Sequence, residues 1–213
     1  MALTLTDAVL GSARVVRDLA LSEAVRERWD EESACEGMSI GGLAHHLAGQ
    51  ATALVRLLPE EPDDSDLITV QEHYRRAAWA NSGHDDEANV SIREGADEQA
   101  ADGYDALADR LDGDLAGLPA ALGQVADDTP VLVPWQGWSL TAHDLAVTRL
   151  MEMVVHADDL AASIDRPTPD FPDEAVRTVL DLLAQVAVDR HGQAAVVRAL
   201  SRPQRAPSSV SAF

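Results

Sequence analysis

The sequence contains no lysine. All 16 of its basic residues are arginine, set against 37 Asp and Glu, for a formal net charge of −21. Nucleic-acid binding draws on clustered positive charge and is excluded on this balance, as is adhesion to an anionic membrane. The acids read as a solvated surface that keeps the chain in solution. Missing lysine beside abundant Ala, Arg, Asp and Gly points to a GC-rich genome or a salt-adapted host. Unfolding in dilute buffer would mark the latter. A single cysteine, Cys35, forbids an intramolecular disulfide and fits a reduced compartment. Cys35 stands in an acidic stretch with no base near it in sequence and reads as incidental. Aromatics are only 4% of residues, so a 46% hydrophobic chain must build its core from Leu, Val and Ala. That suits close-packed helices better than a β-sandwich. Residues 1–25 have no apolar signal segment, and no run of 18 apolar residues occurs, so a cytoplasmic location without a membrane span is expected. Neither a Gly-rich phosphate loop nor a G-x-S-x-G elbow is present.

Apolar spacing predicts helices instead, and with them an all-α bundle. One is expected from Thr6, capped by Thr6 or Asp7, to Trp29. A second should run from Ser39, its N-cap, to Leu58, ended by Pro59 and Pro62. Thr69–Ala80 and the glycine-interrupted Ser91–Leu118 follow. Asp127–Gly137 reads as a loop or one extended strand. The clearest helix spans Thr141–Ile164, with Thr141 as N-cap and Asp144 completing a near-capping-box. A last helix runs from Pro172 to Leu200 with a break at Gly192, and the tail from Ser201 either crosses a surface or stays loose.

Glu152 and His156 carry the chemistry. Their i,i+4 spacing places a carboxylate and an imidazole on one helix face, able to grip one cation or merely to form a weak exposed pair. Asp159, three residues on, can accept the second ring N–H of His156. Arg149 can bind a substrate carboxylate, or only pair with Glu152 or an acid nearby. Of the adjacent His45 and His46, which point about 100° apart, His46 is the inward candidate and His45 the solvated one. His73, His84, His143 and His191 read as surface residues. Trp135 and Trp138 either roof a pocket or staple their loop to the bundle, the staple being favoured.

Two stretches carry a resemblance. One is Ser39-Ile-Gly-Gly-Leu-Ala-His45-His46-Leu47-Ala-Gly-Gln50. The other is Trp138-Ser-Leu followed by Arg149-Leu-Met-Glu152-Met-Val-Val-His156-Ala-Asp-Asp159-Leu160. Together, with Trp29, they resemble the mycothiol-dependent maleylpyruvate isomerase family within the DinB/YfiT-like metalloenzymes. The resemblance covers roughly residues 1–165. It implies a DinB-like four-helix metal-binding bundle over 1–165, with an additional C-terminal helix and tail over 166–213 packed on the same domain. The closing Arg-His-Gly and Leu-Ser-Arg-Pro stretches resemble a terminal helix of actinobacterial relatives, and the separate C-terminal domain of longer isomerases is not expected. The resemblance further implies a divalent ion, zinc by type, held by His46, Glu152 and His156, its fourth position open to water or a low-molecular-weight thiol. Mycothiol is the expected cosubstrate, a small electrophile the second partner, and the activity S-transfer or isomerisation. Two alternatives remain open: a metal-assisted hydrolase without a thiol, and a non-catalytic metal protein in which His45 or His143 closes the site. Many relatives are dimers, although no stripe here marks an interface.

Overall fold

The computed structural model describes residues 3–58 and 65–213. Pro59 and Pro62, expected to end the second helix, lie outside the described residues. Among those described there are ten helices and one two-stranded sheet, an all-α protein as expected.

The expected first helix is two: α1 over Thr6–Ala20 and α2 over Glu23–Glu27. Ser22 sits at the junction in extended conformation, and its hydroxyl accepts the Val25 N–H, which starts a new helix where one was expected to continue. Thr6 is not a cap but the first helical residue, its hydroxyl donating to the Leu3 carbonyl at 2.6 Å. Next, α3 spans Ile40–Leu57 behind Ser39, whose hydroxyl accepts from Gly42 N at 2.9 Å.

The expected helix over 69–80 is likewise divided, into α4 (Val70–Arg76) and α5 (Ala78–Asn81). The Asn81 amide donates to the carbonyls of Tyr74 and Ala77, satisfying backbone groups that the break would orphan. Helices α6 (Glu87–Ala100) and α7 (Tyr104–Gly123) replace one expected helix. Their junction is Gly103, whose φ of +85° is a left-handed turn that residues with a Cβ rarely take. The other three glycines there stay inside helices.

The expected lone strand has a partner. β1 (Pro130–Val133) pairs antiparallel with β2 (Trp138–Thr141), with Val131 opposite Leu140. β2 runs directly into α8 (Ala142–Ser163), where Thr141 Oγ1 accepts from Asp144 N at 3.0 Å. The Asp144 carboxylate does not complete a capping box. It accepts the Val70 N–H at 3.1 Å instead, tying the start of α4 to the start of α8. Finally α9 (Asp173–His191) and α10 (Gln193–Ser201) meet at the expected break, Gly192. The tail crosses a surface: Arg190 donates to the Ala212 carbonyl at 2.9 Å, and the Phe213 ring packs on Tyr74 and Trp79.

The bundle is built from α1, α3, α7 and α8; α1 and α3 each contact both α7 and α8. α9 lies along α8 and α1. Leu43, Leu47 and Leu54 from α3 and Leu145, Leu150 and Met153 from α8 are all less than 2% exposed. Each such side chain stabilises the fold by roughly 1.5–3 kcal/mol through burial alone, so the α3–α8 seam is held together by its apolar core. No helix among the described residues is long and apolar enough to cross a membrane.

The small-residue run at the start of α3 has a structural cause. The Trp29 indole lies on Gly41, where a Cβ would meet it at 2.5 Å, and donates Nε1–H to the Ala100 carbonyl at 3.1 Å. The Asp97 carboxylate lies over Gly42 and accepts from both Ser39 N and Ser39 Oγ. Helix α6 and the loop before α3 thereby fix the height of α3 against α8.

Candidate metal centre

That alignment brings the middle of α3 against the middle of α8. His156 Nε2 is 3.2 Å from Glu152 Oε2, and His46 Nε2 is 3.9 Å from the same oxygen. The two imidazoles meet edge to face at 4.8 Å between centroids. One ligand atom from each residue lies within 4.8 Å of the others, so the trio could hold one metal ion. Two ring nitrogens and one carboxylate oxygen match three-ligand zinc sites that keep a position for an exchangeable ligand.

The His156 ring is oriented from behind. Its Nδ1 bonds Asp159 Oδ2 at 3.0 Å, the pairing expected from the sequence, and this leaves Nε2 aimed at Glu152. Burial raises the Glu152 carboxyl, but hydrogen bonds from His156 and His46 and the Arg149 charge together hold it well below the usual carboxylate range. Burial lowers His156, yet its bonds to Asp159, Cys35 and Glu152 carry it well above the usual histidine value. His46 stays lowered, mainly by burial.

Cys35, expected to be incidental, stands beside His156. Cys35, His156 and Asp159 form a second group whose ligand atoms lie within 4.8 Å of one another. The loop is pinned there because Ala34 N donates to Ser163 Oγ at 2.8 Å while that hydroxyl donates to the Asp159 carbonyl at 2.6 Å. No local pattern around position 35 signals a partner this distant in sequence.

On the other flank Gln50 Nε2 lies 3.2 Å from His46 Nε2, and the Gln50 side-chain oxygen accepts from Arg149 Nη1. Arg149 is buried and also bonds Thr148 Oγ1 at 3.1 Å. It does not pair with Glu152 within ion-pair distance; its hydrogen-bond partners are neutral.

The remaining histidines divide. His45, expected in solvent, is buried: its Nδ1 accepts from Arg110 at 2.6 Å and its ring meets Trp29 edge-on. Burial and the Arg110 charge push it down to about 4. His73, also expected at the surface, is buried under Trp138, whose indole N–H it accepts at 3.1 Å. The reason is the same in both cases, a large neighbour from a distant segment that covers the ring. His84 is exposed beside Asp85, and His191 reaches the Ser211 carbonyl at the surface. His143 lies at the start of α8 beside Asp144, and neither it nor His45 belongs to the trio. Trp138 is the staple, through His73, while Trp135 is exposed.

A family model described as the mycothiol maleylpyruvate isomerase N-terminal domain matches residues 11–161. The chain belongs to this family. No curated protein and no solved structure matches it. The family match runs from within α1 almost to the end of α8, so it includes His46, Glu152 and His156 together with Cys35, Gln50, Arg149 and Asp159. Helices α9 and α10 and the tail lie beyond it.

Proposed function

We propose that the chain is a metal-dependent enzyme that uses a low-molecular-weight thiol, mycothiol, to attack a small electrophile, either transferring the sulfur or isomerising the substrate. Membership of the mycothiol maleylpyruvate isomerase family supports the thiol. The observation that carries the metal is the convergence of His46 Nε2, Glu152 Oε2 and His156 Nε2 on one point between two packed helices.

The residues have complementary tasks. Glu152 supplies a permanent negative charge. Asp159 holds the His156 ring by its far nitrogen, so that Nε2 faces the site. Leu47 and Met153, next to His46 and Glu152 in sequence, are buried together with Leu150. A bound divalent ion lowers the pKa of a thiol at its exchangeable position, making it a thiolate at neutral pH. With two neutral imidazoles and one carboxylate, the loaded site is net positive and prefers such an anionic ligand. A thiolate adding to an electrophilic carbon–carbon double bond would push its π pair onto the conjugated carbonyl. Protonation of the resulting enolate would give the transfer product, whereas rotation about the opened bond and expulsion of the thiolate, re-forming the double bond, would give the isomer.

Cobalt-substituted protein titrated with mycothiol tests this reading. A thiolate-to-cobalt absorption in the near ultraviolet, and thiol consumption across a panel of electrophiles, are expected. Absence of both would contradict it, and ester or amide hydrolysis without any thiol would replace it with a hydrolase.

A further inference from the structure

We propose that the cavity between α4, α9 and the C-terminal tail is a second binding site, separate from the metal trio, for a small aromatic acid. Its volume is about 290 Å³, and none of His46, Glu152 and His156 lines it. The part of its wall that runs from Val186 to Phe213 lies beyond the residues that the family model matches.

Polar struts frame this cavity. Gln71 Nε2 donates to Gln185 Oε1 at 2.6 Å, and Arg75 Nη2 donates to Asp189 Oδ2 at 2.8 Å. Each pair joins α4 to α9, and the second lies one turn on from the first in both helices. Such struts tie the helices through the tips of long side chains, which leaves room beside them. The tail closes a further side. Arg190 Nη1 donates to the Ala212 carbonyl at 2.9 Å, and His191 Nε2 lies 2.7 Å from the Ser211 carbonyl. The Phe213 ring meets Tyr74 and Trp79 at 5.4 and 5.1 Å between centroids.

The chemistry of the walls selects the ligand. Tyr74 and Phe213 contribute aromatic rings, and Ala80, Val186 and Ala212 contribute small apolar side chains. A cavity of about 150 Å³ admits benzene, so about 290 Å³ admits two fused rings. Arg190, also in the wall, supplies the charge. Its bond to Ala212 uses one of five N–H groups, and no carboxylate lies within ion-pair distance of it among the described residues. Asp189 beside it is engaged by Arg75, and the terminal carboxyl group of Phe213 accepts from Ser211 Oγ at 2.6 Å. The sequence adds an independent sign. Residues 190–213 hold four arginines and no Asp or Glu, in a chain of net charge −21. The end of α9 and the tail are therefore locally positive, and an anion that approaches this acidic protein is drawn there. An aromatic carboxylate uses both features: its ring packs on Tyr74 and Phe213, and its carboxylate accepts from the remaining N–H groups of Arg190.

The test is calorimetric titration of EDTA-treated wild type, Arg190→Gln and Phe213→Ala with 2-naphthoate and with neutral 2-naphthalenemethanol. Wild type is expected to bind one naphthoate per chain, at least about tenfold more tightly than the alcohol, the worth of hydrogen bonds between charged groups. Arg190→Gln keeps a donor for the Ala212 carbonyl but no charge. It should bring naphthoate down to the affinity of the alcohol and leave the alcohol unchanged. Phe213→Ala removes an aromatic wall and should weaken both ligands by about tenfold. Thermal melting without ligand shows whether each variant is folded; should Phe213→Ala melt far below wild type, Arg190→Gln alone decides. No naphthoate binding by wild type, equal affinity for acid and alcohol, or wild-type naphthoate affinity in Arg190→Gln overturns the site. Metal and thiol are both absent from this assay, so its outcome is independent of the function proposed above.

Discussion

Replacing Gly41 by alanine should destabilise the protein, although the same change in an open helix position stabilises. An alanine in a helix is favoured over glycine by up to about 1 kcal/mol. At Gly41 the added methyl would stand 2.5 Å from Trp29 Cε2 and 2.7 Å from its Nε1. The indole has little room to retreat, because it is bonded to the Ala100 carbonyl and packs edge-on against His45 and Tyr104, at 5.8 and 5.9 Å. Overpacking of this kind costs about 1–3 kcal/mol, and losing the indole hydrogen bond adds about 1 kcal/mol. After subtracting the helix gain, a net loss of about 1–3 kcal/mol remains. For a chain of this size that lowers the melting temperature by roughly 3–10 °C. Gly49, eight positions along the same helix, has nothing within 4 Å of a built Cβ and is the control. Gly49→Ala should be neutral or stabilising by up to about 1 kcal/mol. Urea denaturation of EDTA-treated protein gives both values. A Gly41→Ala variant as stable as Gly49→Ala would refute the claim that Trp29 sets the position of α3, and with it the route by which His46 reaches α8.

Two further changes test the surroundings of the trio. Burial lowers His73 from a usual 6.5 to about 4, so the unfolded chain takes up that proton first as the pH falls. Stability is therefore lost with acidification from about pH 6.5 to pH 4, at up to about 1.4 kcal/mol per pH unit, and levels off below. His73→Gln keeps an acceptor for Trp138 and should remove this component; identical acid slopes for EDTA-treated wild type and variant would count against it. Asp159→Asn should weaken zinc affinity about 10–100-fold by loosening and weakening His156, measured by competition with a chelator; unchanged affinity would mean that Asp159 does not orient the ring.

The helices that carry the trio were legible because their signals are local. Ser39 and Thr141 cap as read, apolar residues recur along α3 and α8, and the Glu152–His156–Asp159 spacing is a property of one helix. Helix divisions at Ser22, Ala77 and Gly103 were not legible as such, since a helix-forming stretch continues past each; the break is decided by a cap at Ser22 and by a positive φ at Gly103. The burial of His45 and His73 and the approach of Cys35 and Gln50 were hidden for a different reason. Arg110, Trp138, Ser163 and Arg149 supply their environments from 65 residues away or more, and nothing in a single segment records such a neighbour. Residue 46 joined residues 152 and 156 only through the family resemblance; helix periodicity alone leaves His46 as an inward candidate without a partner.

The account stands or falls on three side chains sharing one cation. Elemental analysis of wild type, His46→Ala, Glu152→Ala and His156→Ala, each prepared under metal-replete conditions and checked for folding by circular dichroism, measures this directly. About one divalent ion per chain is expected in wild type, and a loss of most of it in each folded variant. A wild type without metal, or three variants that retain the full complement, would contradict it.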